Sequence, residues 1–198
     1  APTSISMAAS QVEEIIQANP EVVVIIDEAY VDFGGETVLP LIQKYDNLLV
    51  VRTYSKSRSM AGMRIGYAMG NEALIEAMND VKESINSYTM NTESIRIGAA
   101  ALEDEEYFQE HLKKVMATRE RTKEALEAMG FDVKESRTNF LFAAHESVPA
   151  KEIFEALKHQ GIYVRYFNKE KISNYLRITI GTEEQMELFL RALERILH

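Results

Sequence analysis

Two short clusters carry the residue types for chemistry. In Arg52-Thr53-Tyr54-Ser55-Lys56, two aliphatic hydroxyls stand beside a lysine, and Arg64 follows eight residues after that lysine. Hydroxyls and a guanidinium suit a phosphate, and a lysine amine suits a carbonyl carbon. A Ser-Lys dipeptide alone is common and reads as a solvated basic loop. The second cluster, Asp27-Glu28-Ala29-Tyr30, adds a carboxylate and a phenol. Taken alone, Asp27 reads as a strand-end or turn carboxylate and Tyr30 as a half-buried aromatic. What gives the clusters meaning is where the chain puts them.

Each cluster directly follows an apolar run. Leu48-Leu49-Val50-Val51 ends at Arg52, and Val22-Val23-Val24-Ile25-Ile26 ends at Asp27. Apolar runs of this length, bounded by polar residues, predict strands buried on both faces of a parallel sheet. Ligands of open parallel sheets bind just past the carboxyl ends of the strands. Asp27 and Lys56 are therefore expected on the same edge of one sheet, with the phosphate-type cluster beside them.

The segments Asp27-Glu28-Ala29-Tyr30-Val31-Asp32-Phe33, Arg52-Thr53-Tyr54-Ser55-Lys56 and Ala61-Gly62-Met63-Arg64-Ile65-Gly66-Tyr67, with Leu176-Arg177-Ile178-Thr179-Ile180-Gly181 near the far end, together resemble the fold-type I enzymes that use pyridoxal 5′-phosphate. The likeness is to the aminotransferases, with local wording nearest the histidinol-phosphate type. The resemblance implies an α/β fold: part of a large domain with a mostly parallel sheet, then a small C-terminal α+β domain. It implies that Lys56 holds the cofactor aldehyde and moves protons, and that Asp27 faces the pyridine nitrogen. Tyr30 would donate to the ring's phenolic oxygen. Thr53, Ser55 and Arg64 would grip the phosphate, and Arg177 would clamp the substrate α-carboxylate bidentately. Without the resemblance, Arg177 reads as a surface charge on a strand. The implied reaction passes the amino group of L-histidinol phosphate to 2-oxoglutarate, in a cytoplasmic homodimer. Alternatives are an aromatic aminotransferase or a threonine-phosphate decarboxylase, which use the same cofactor residues, or a non-catalytic folded fragment.

The chain also departs from the family wording. The usual Lys-Ala-Phe-Gly is here Lys56-Ser57-Arg58-Ser59, so Arg58 replaces an aromatic and Ser59 a glycine. The opening Pro2-Thr3-Ser4 resembles the tail of a cofactor loop, with Ser4 at a glycine position. The expectation is a C-terminal portion of a longer enzyme, lacking the stacking aromatic and the glycine-rich phosphate turn, and weak or inactive by itself.

The 198 residues are 46% hydrophobic and carry a formal charge of −9 with no long basic run, which argues against nucleic-acid binding. The chain has no cysteine, and His111, His145, His159 and His198 lack metal-ligand spacing, so no metal is expected. No apolar run is long enough for a membrane span. Ser10-Gln11-Val12-Glu13 and Thr182-Glu183-Glu184-Gln185 match capping boxes. Helices are expected at 10–18, 71–81, 92–128 with a break near 102–104, 149–160 and 182–197. Strands are expected at 64–70, which the resemblance implies runs antiparallel to the rest, and at 131–135, 140–143, 163–166 and 175–180. The domains are expected to divide near residue 100, into 1–100 and 101–198.

Overall fold

The run Leu48-Leu49-Val50-Val51 opens the central strand of a three-stranded sheet. The structure, a computed structural model, describes residues 2–198. It divides into two units: Met7–Gln109, and Glu110–His198 together with the opening residues up to Ser6. In the first unit, helix α1 (Ala9–Ala18) leads to strand β1 (Val24–Asp27). A 3₁₀ turn at Leu39–Gln43 precedes β2 (Leu48–Thr53), and β3 (Gly66–Gly70) follows the lysine loop. Helices α2 (Glu72–Ile85) and α3 (Thr92–Glu103) come next. Helix α4 (Glu105–Ala128) begins in this unit, and the division falls within it.

The sheet order is β1-β2-β3. β1 pairs parallel to β2, with Val24 opposite Leu48 and Asp27 opposite Val51. β3 returns antiparallel, with Thr53 opposite Gly66. The sheet is thus small and mixed, which corrects the expected mostly parallel sheet. No crossover helix lies between β2 and β3, and a loop without one can only bring the chain back antiparallel.

β1 also differs from its expected burial. Leu48, Leu49 and Val50 of β2 are buried, but Ile25 of β1 is 60% exposed. Only one face of β1 is covered, where Val12 and Ile16 of α1 pack with Val38, Leu48 and Val50. β1 lies at the sheet edge, and an unbroken run of β-branched residues conceals which of its members face solvent. Helix α2 buries no residue, and its Met78, Val81 and Ile85 are exposed.

Helix starts depend on who satisfies the first free N–H groups. α1 begins two residues before the expected Ser10 cap. Ala8 is its N-cap, the Ala8 N–H donates to Gln11 Oε1 (3.1 Å), and the Ala9 N–H donates to Glu36 Oε2 (3.0 Å). Gln11 thus performs the returning half of a capping box two residues earlier than the Ser10 pattern suggested. At helix α6 (Glu183–Leu197) the expected box is present: the Thr182 N–H donates to Gln185 Oε1 and the Gln185 N–H to Thr182 Oγ1. The break between α3 and α4 falls at Asp104.

The second unit holds an antiparallel sheet ordered β4-β5-β7-β6, from Phe131–Val133, Phe140–His145, Leu176–Thr179 and Arg165–Tyr166 respectively. Helices α5 (Ala150–His159) and α6 bury Ile153, Leu157, Phe189 and Leu193 against Leu141, Leu176 and Ile178. Gly130 (φ +86°) turns the chain from α4 into β4, a left-handed conformation that an L side chain resists. Ser4 sits at φ +64°, which accounts for a glycine at that place in the family pattern. Its conformation is held from both sides: Ser4 Oγ donates to the Glu135 carbonyl (3.1 Å), and the Arg137 N–H donates to the Ser4 carbonyl (3.1 Å).

Ile153 is fully buried whereas Ile25 is mostly exposed. Ile153→Ala is expected to destabilise the second unit by about 2–5 kcal/mol, and Ile25→Ala to change the first by roughly 0.5 kcal/mol or less. Urea unfolding followed by amide hydrogen exchange within each unit measures both; similar losses would contradict the burial assignment.

Candidate active site

Side chains alternate across a strand. On β1, Val24, Ile26 and the following Glu28 point to the face that packs on α1, whereas Ile25 and Asp27 point to the other. On β2, Leu48, Val50 and Arg52 share the packed face, and Leu49, Val51 and Thr53 the opposite one. The Glu28 N–H donates to the Val51 carbonyl (2.9 Å), so the ladder continues to the point where both strands give way to loops.

Behind the sheet, the buried Glu28 pairs with the half-buried Arg52. Glu28 Oε2 accepts from Arg52 Nε (3.0 Å) and Nη2 (2.8 Å), and Oε1 accepts from the Val38 N–H (2.7 Å). Thr37 Oγ1 reaches both carboxylate oxygens and accepts from Arg52 Nη2 (2.8 Å). Burial works against the charge of Arg52, but the hydrogen bonds and charges of Glu28 and Tyr67 outweigh it and raise its pKa. The neighbours of this pair in sequence, Asp27 and Thr53, stand on the front of the sheet.

In front, Asp27 is exposed and its Oδ1 accepts from the Ala29 N–H (2.9 Å). That turn brings Tyr30 forward, and Lys56 Nζ lies 5.5 Å from the centre of the Tyr30 ring. Thr53 Oγ1 donates to the Ile65 carbonyl (3.2 Å) and accepts from the Ser55 N–H (3.0 Å), fixing the start of the lysine loop. Ser57 Oγ donates to Asp32 Oδ2 (2.5 Å), linking that loop to the Asp27–Tyr30 side. Arg64 is exposed at φ +56°, with Nη1 on the Ala61 carbonyl (2.9 Å). Burial raises the pKa of the Tyr54 phenol, which the charge of Arg58 partly offsets.

Asp27, Tyr30, Thr53, Ser55 and Lys56 thus gather at the carboxyl ends of β1 and β2, and Arg64 closes the loop that starts there. Arg177 belongs to the second unit. Its guanidinium lies 5.0 Å from the Phe140 ring centre, and its Nε is buried without a hydrogen-bond partner. Sequence reasoning passed over Glu28 and Thr37 as site-building residues. The signal for Glu28 was its parity with Val24 and Ile26, which sends a carboxylate to the apolar face, with Arg52 at the matching place on β2. A cleft of about 600 Å³ lies at the opposite, amino ends of β1 and β2, lined by Ile16, Val22, Val23, Tyr45 and Leu74 among others, and by none of the site residues. Among the described residues no cluster of His, Asp or Glu is arranged to hold a metal ion, and no helix is long and apolar enough to cross a membrane.

The sequence matches the family described as aminotransferase class I and II over residues 1–193. The chain belongs to that family. Its relatives among aminotransferases include the histidinol-phosphate aminotransferase of Brachyspira hyodysenteriae, 48% identical over 198 residues, which span all of this chain and 56% of that protein. The enzyme of the same name from Clostridium beijerinckii is 49% identical over 197 residues, or 55% of its length. Among solved aminotransferases, the histidinol-phosphate aminotransferase of Sinorhizobium meliloti in complex with pyridoxal 5′-phosphate superposes with a TM-score of 0.88 at 26% identity, over 99% of this chain and 54% of that one. The chain therefore spans little more than half the length of the aminotransferases it matches.

Removing Glu28 leaves the half-buried Arg52 cation without its carboxylate. Glu28→Ala is expected to destabilise the first unit by about 1.5–3 kcal/mol, the worth of hydrogen bonds to a charged group. Lys44→Ala, which breaks the exposed pair between Lys44 and Glu13, should cost far less, because solvent screens an exposed pair. Amide exchange in β2 against denaturant reads both values, and equal costs would show that the Glu28 pair is not the brace.

Proposed function

We propose that this chain carries the lysine-bearing part of a pyridoxal 5′-phosphate-dependent histidinol-phosphate aminotransferase. The observation that carries the reading is Lys56 set over Tyr30 beside Asp27 at the carboxyl edge of the sheet. The choice of substrate rests on the relatives, whose names specify histidinol phosphate.

The residues fit the cofactor by the chemistry of the donor set. They offer an exposed primary amine, a carboxylate with one oxygen outside its Asx turn, a phenol, hydroxyls and an arginine in one place. Pyridoxal 5′-phosphate, when bound, supplies an aldehyde for an amine and a ring that accepts electrons. Lys56 Nζ would hold that aldehyde, and the same amine would serve as the group that takes up and returns a proton. Asp27 holds a proton on the pyridine nitrogen by its negative charge. Tyr30 donates its phenolic hydrogen to the ring oxygen. Ser55, Thr53 and Arg64 hold the phosphate, Arg64 with charge-assisted bonds. In this assignment Thr53 also acts through the loop, because its hydroxyl is engaged by Ile65 and Ser55.

For Arg177 the reading is a carboxylate-type clamp. A buried guanidinium nitrogen without a partner is unfavourable unless a ligand completes it, and this supports an anionic group there. The substrate pair is histidinol phosphate with 2-oxoglutarate, giving glutamate. The homodimer belongs to the same proposal, and the uncovered apolar side chains of α2 supply surface for it. A cytoplasmic site of action goes with a biosynthetic transaminase of this kind.

Incubation of the chain with excess pyridoxal 5′-phosphate, borohydride reduction and peptide mapping should label Lys56. Prior addition of L-histidinol phosphate should lower that label more than histidinol does. A label on another lysine would overturn the assignment. The two arginines should also separate. Arg64→Ala is expected to weaken cofactor affinity by roughly 1.5–3 kcal/mol, the worth of a charge-assisted hydrogen bond. Arg177→Ala should leave cofactor affinity unchanged and reduce protection by glutamate, which carries the α-carboxylate that histidinol phosphate lacks. Titration of cofactor absorbance against each variant measures the split, and equal losses would contradict it.

A further inference from the structure

The loop that carries Lys56 is held at both ends. At its start, Thr53 Oγ1 takes the Ser55 N–H, as described above. At its end, Ser94 Oγ of α3 donates to the Met63 carbonyl (2.9 Å). Ile65 packs so closely on α3 that a Cβ at Gly98 would lie 2.8 Å from its Cδ1. Between these points the backbone makes turns of its own, including Ser59 N–H to the Lys56 carbonyl (3.1 Å) and Met60 N–H to the Tyr54 carbonyl (3.0 Å), and Ser57 Oγ ties the loop to Asp32 on the other side. Ser59 is at φ +56°, a left-handed conformation that is unfavourable for serine and needs outside support.

Arg58, next to Ser59, is anchored in the middle of the loop. Its side chain is 14% exposed. The guanidinium lies 3.9 Å from the centre of the Phe108 ring and 5.7 Å from that of Tyr54. Nη1 donates to the carbonyl of Ala101, in the last turn of α3, where helix carbonyls lack an intrahelical partner. Nη2 stands 3.7 Å from Glu105, the first residue of α4. One planar cation thus joins the end of α3, the start of α4 and an aromatic ring, which an uncharged aromatic at this position cannot do.

We propose that Arg58 is a positioning residue for Lys56: it clamps the lysine loop onto the α3–α4 junction and holds the strained turn at Ser59, so that the amine is presented in one orientation. The importance of that orientation rests on the reading of Lys56 as the cofactor lysine. The clamp itself does not.

The test compares the 198-residue chain with Arg58→Met, which keeps an apolar stem over Phe108 but loses the cation, and with Arg58→Lys, which keeps a donor for the Ala101 carbonyl without the planar stack. Hydrogen exchange is followed at the Ser59 and Met60 amides and, as a folding control, in β2. Acetylation of Lys56 by acetic anhydride is measured relative to Lys44. Loss of a stacked, hydrogen-bonded cation is expected to speed Ser59 and Met60 exchange in Arg58→Met by about tenfold or more. Lys56 acetylation should change against Lys44 while β2 keeps its protection, and Arg58→Lys should lie between parent and Arg58→Met. Unchanged exchange at Ser59 and Met60, or unchanged relative acetylation of Lys56, overturns the proposal. So does acceleration that is equal in β2, which would make Arg58 only a support of the fold. Should Arg58→Met fail to fold, Arg58→Lys decides by the same comparison. Neither readout uses the cofactor, whereas the borohydride label on Lys56 tests the cofactor reading, so the two can fail separately.

Discussion

The ion pair between Glu28 and Arg52 is the constraint on which the candidate site depends. Both groups lie on the packed face of a small sheet, where desolvation of two charges costs several kcal/mol each and is offset only by close, complete hydrogen bonding. Thr37, the Val38 N–H and both guanidinium nitrogens complete it. The backbone ladder sets the spacing of the two strands, and the pair braces its last rung, where the two following loops start. Those loops carry Asp27 and Tyr30 on one side and Thr53, Ser55 and Lys56 on the other. A hydrophobic pair at the same places would bury as well but would not tie the strand end to Thr37 and Val38 by directed bonds, since apolar contacts are non-directional. The front of the sheet is therefore braced from behind.

The lysine loop adds a second constraint of a different kind. Two residues of it, Ser59 and Arg64, hold left-handed backbone conformations without being glycine. Such strain persists only where surrounding structure over-determines it. The surroundings here are the Thr53 hydroxyl, Ser94 and Gly98 of α3, and the Arg58 guanidinium. The departures from family wording at Ser4 and Ser59 have the same explanation. The backbone keeps the conformation that favours glycine. At Ser4 the carbonyls and amides of the chain around Glu135 and Arg137 hold it, and at Ser59 a stacked cation one residue away is in place to do so.

Much of this was legible from the residues. The end of each apolar run located the strand ends, and in a parallel pair strand ends fix which loops meet. That logic put Asp27, Tyr30 and Lys56 on one edge, and so does the fold. It failed on β1, because Val22 to Ile26 has the same composition whether one face or two are covered, and only the neighbouring elements decide. It failed on the α1 cap because Ser10 offered a good local pattern while Glu36, distant in sequence, satisfied an earlier N–H. It overlooked Glu28 because an acidic residue next to Asp27 at a strand end reads as solvated. Period-two alternation makes that reading untenable: if Asp27 faces out with Ile25, Glu28 faces in with Ile26, and an inward carboxylate demands an inward cation.

The same alternation explains why the residues with chemistry are the exposed ones. Glu28 and Arg52 are oppositely charged and adjacent, so the fold can bury them together. Asp27 and Lys56 are also oppositely charged, yet their places on the other face leave both exposed. Were they to pair closely with each other, the amine would be held protonated by the carboxylate and would be a poor nucleophile. Tyr30 lies under the Lys56 amine instead, a contact that steers a cation without neutralising it. The division of labour between the two faces of one pair of strands thus keeps charge neutralisation on the packed side and leaves the amine on the other side exposed.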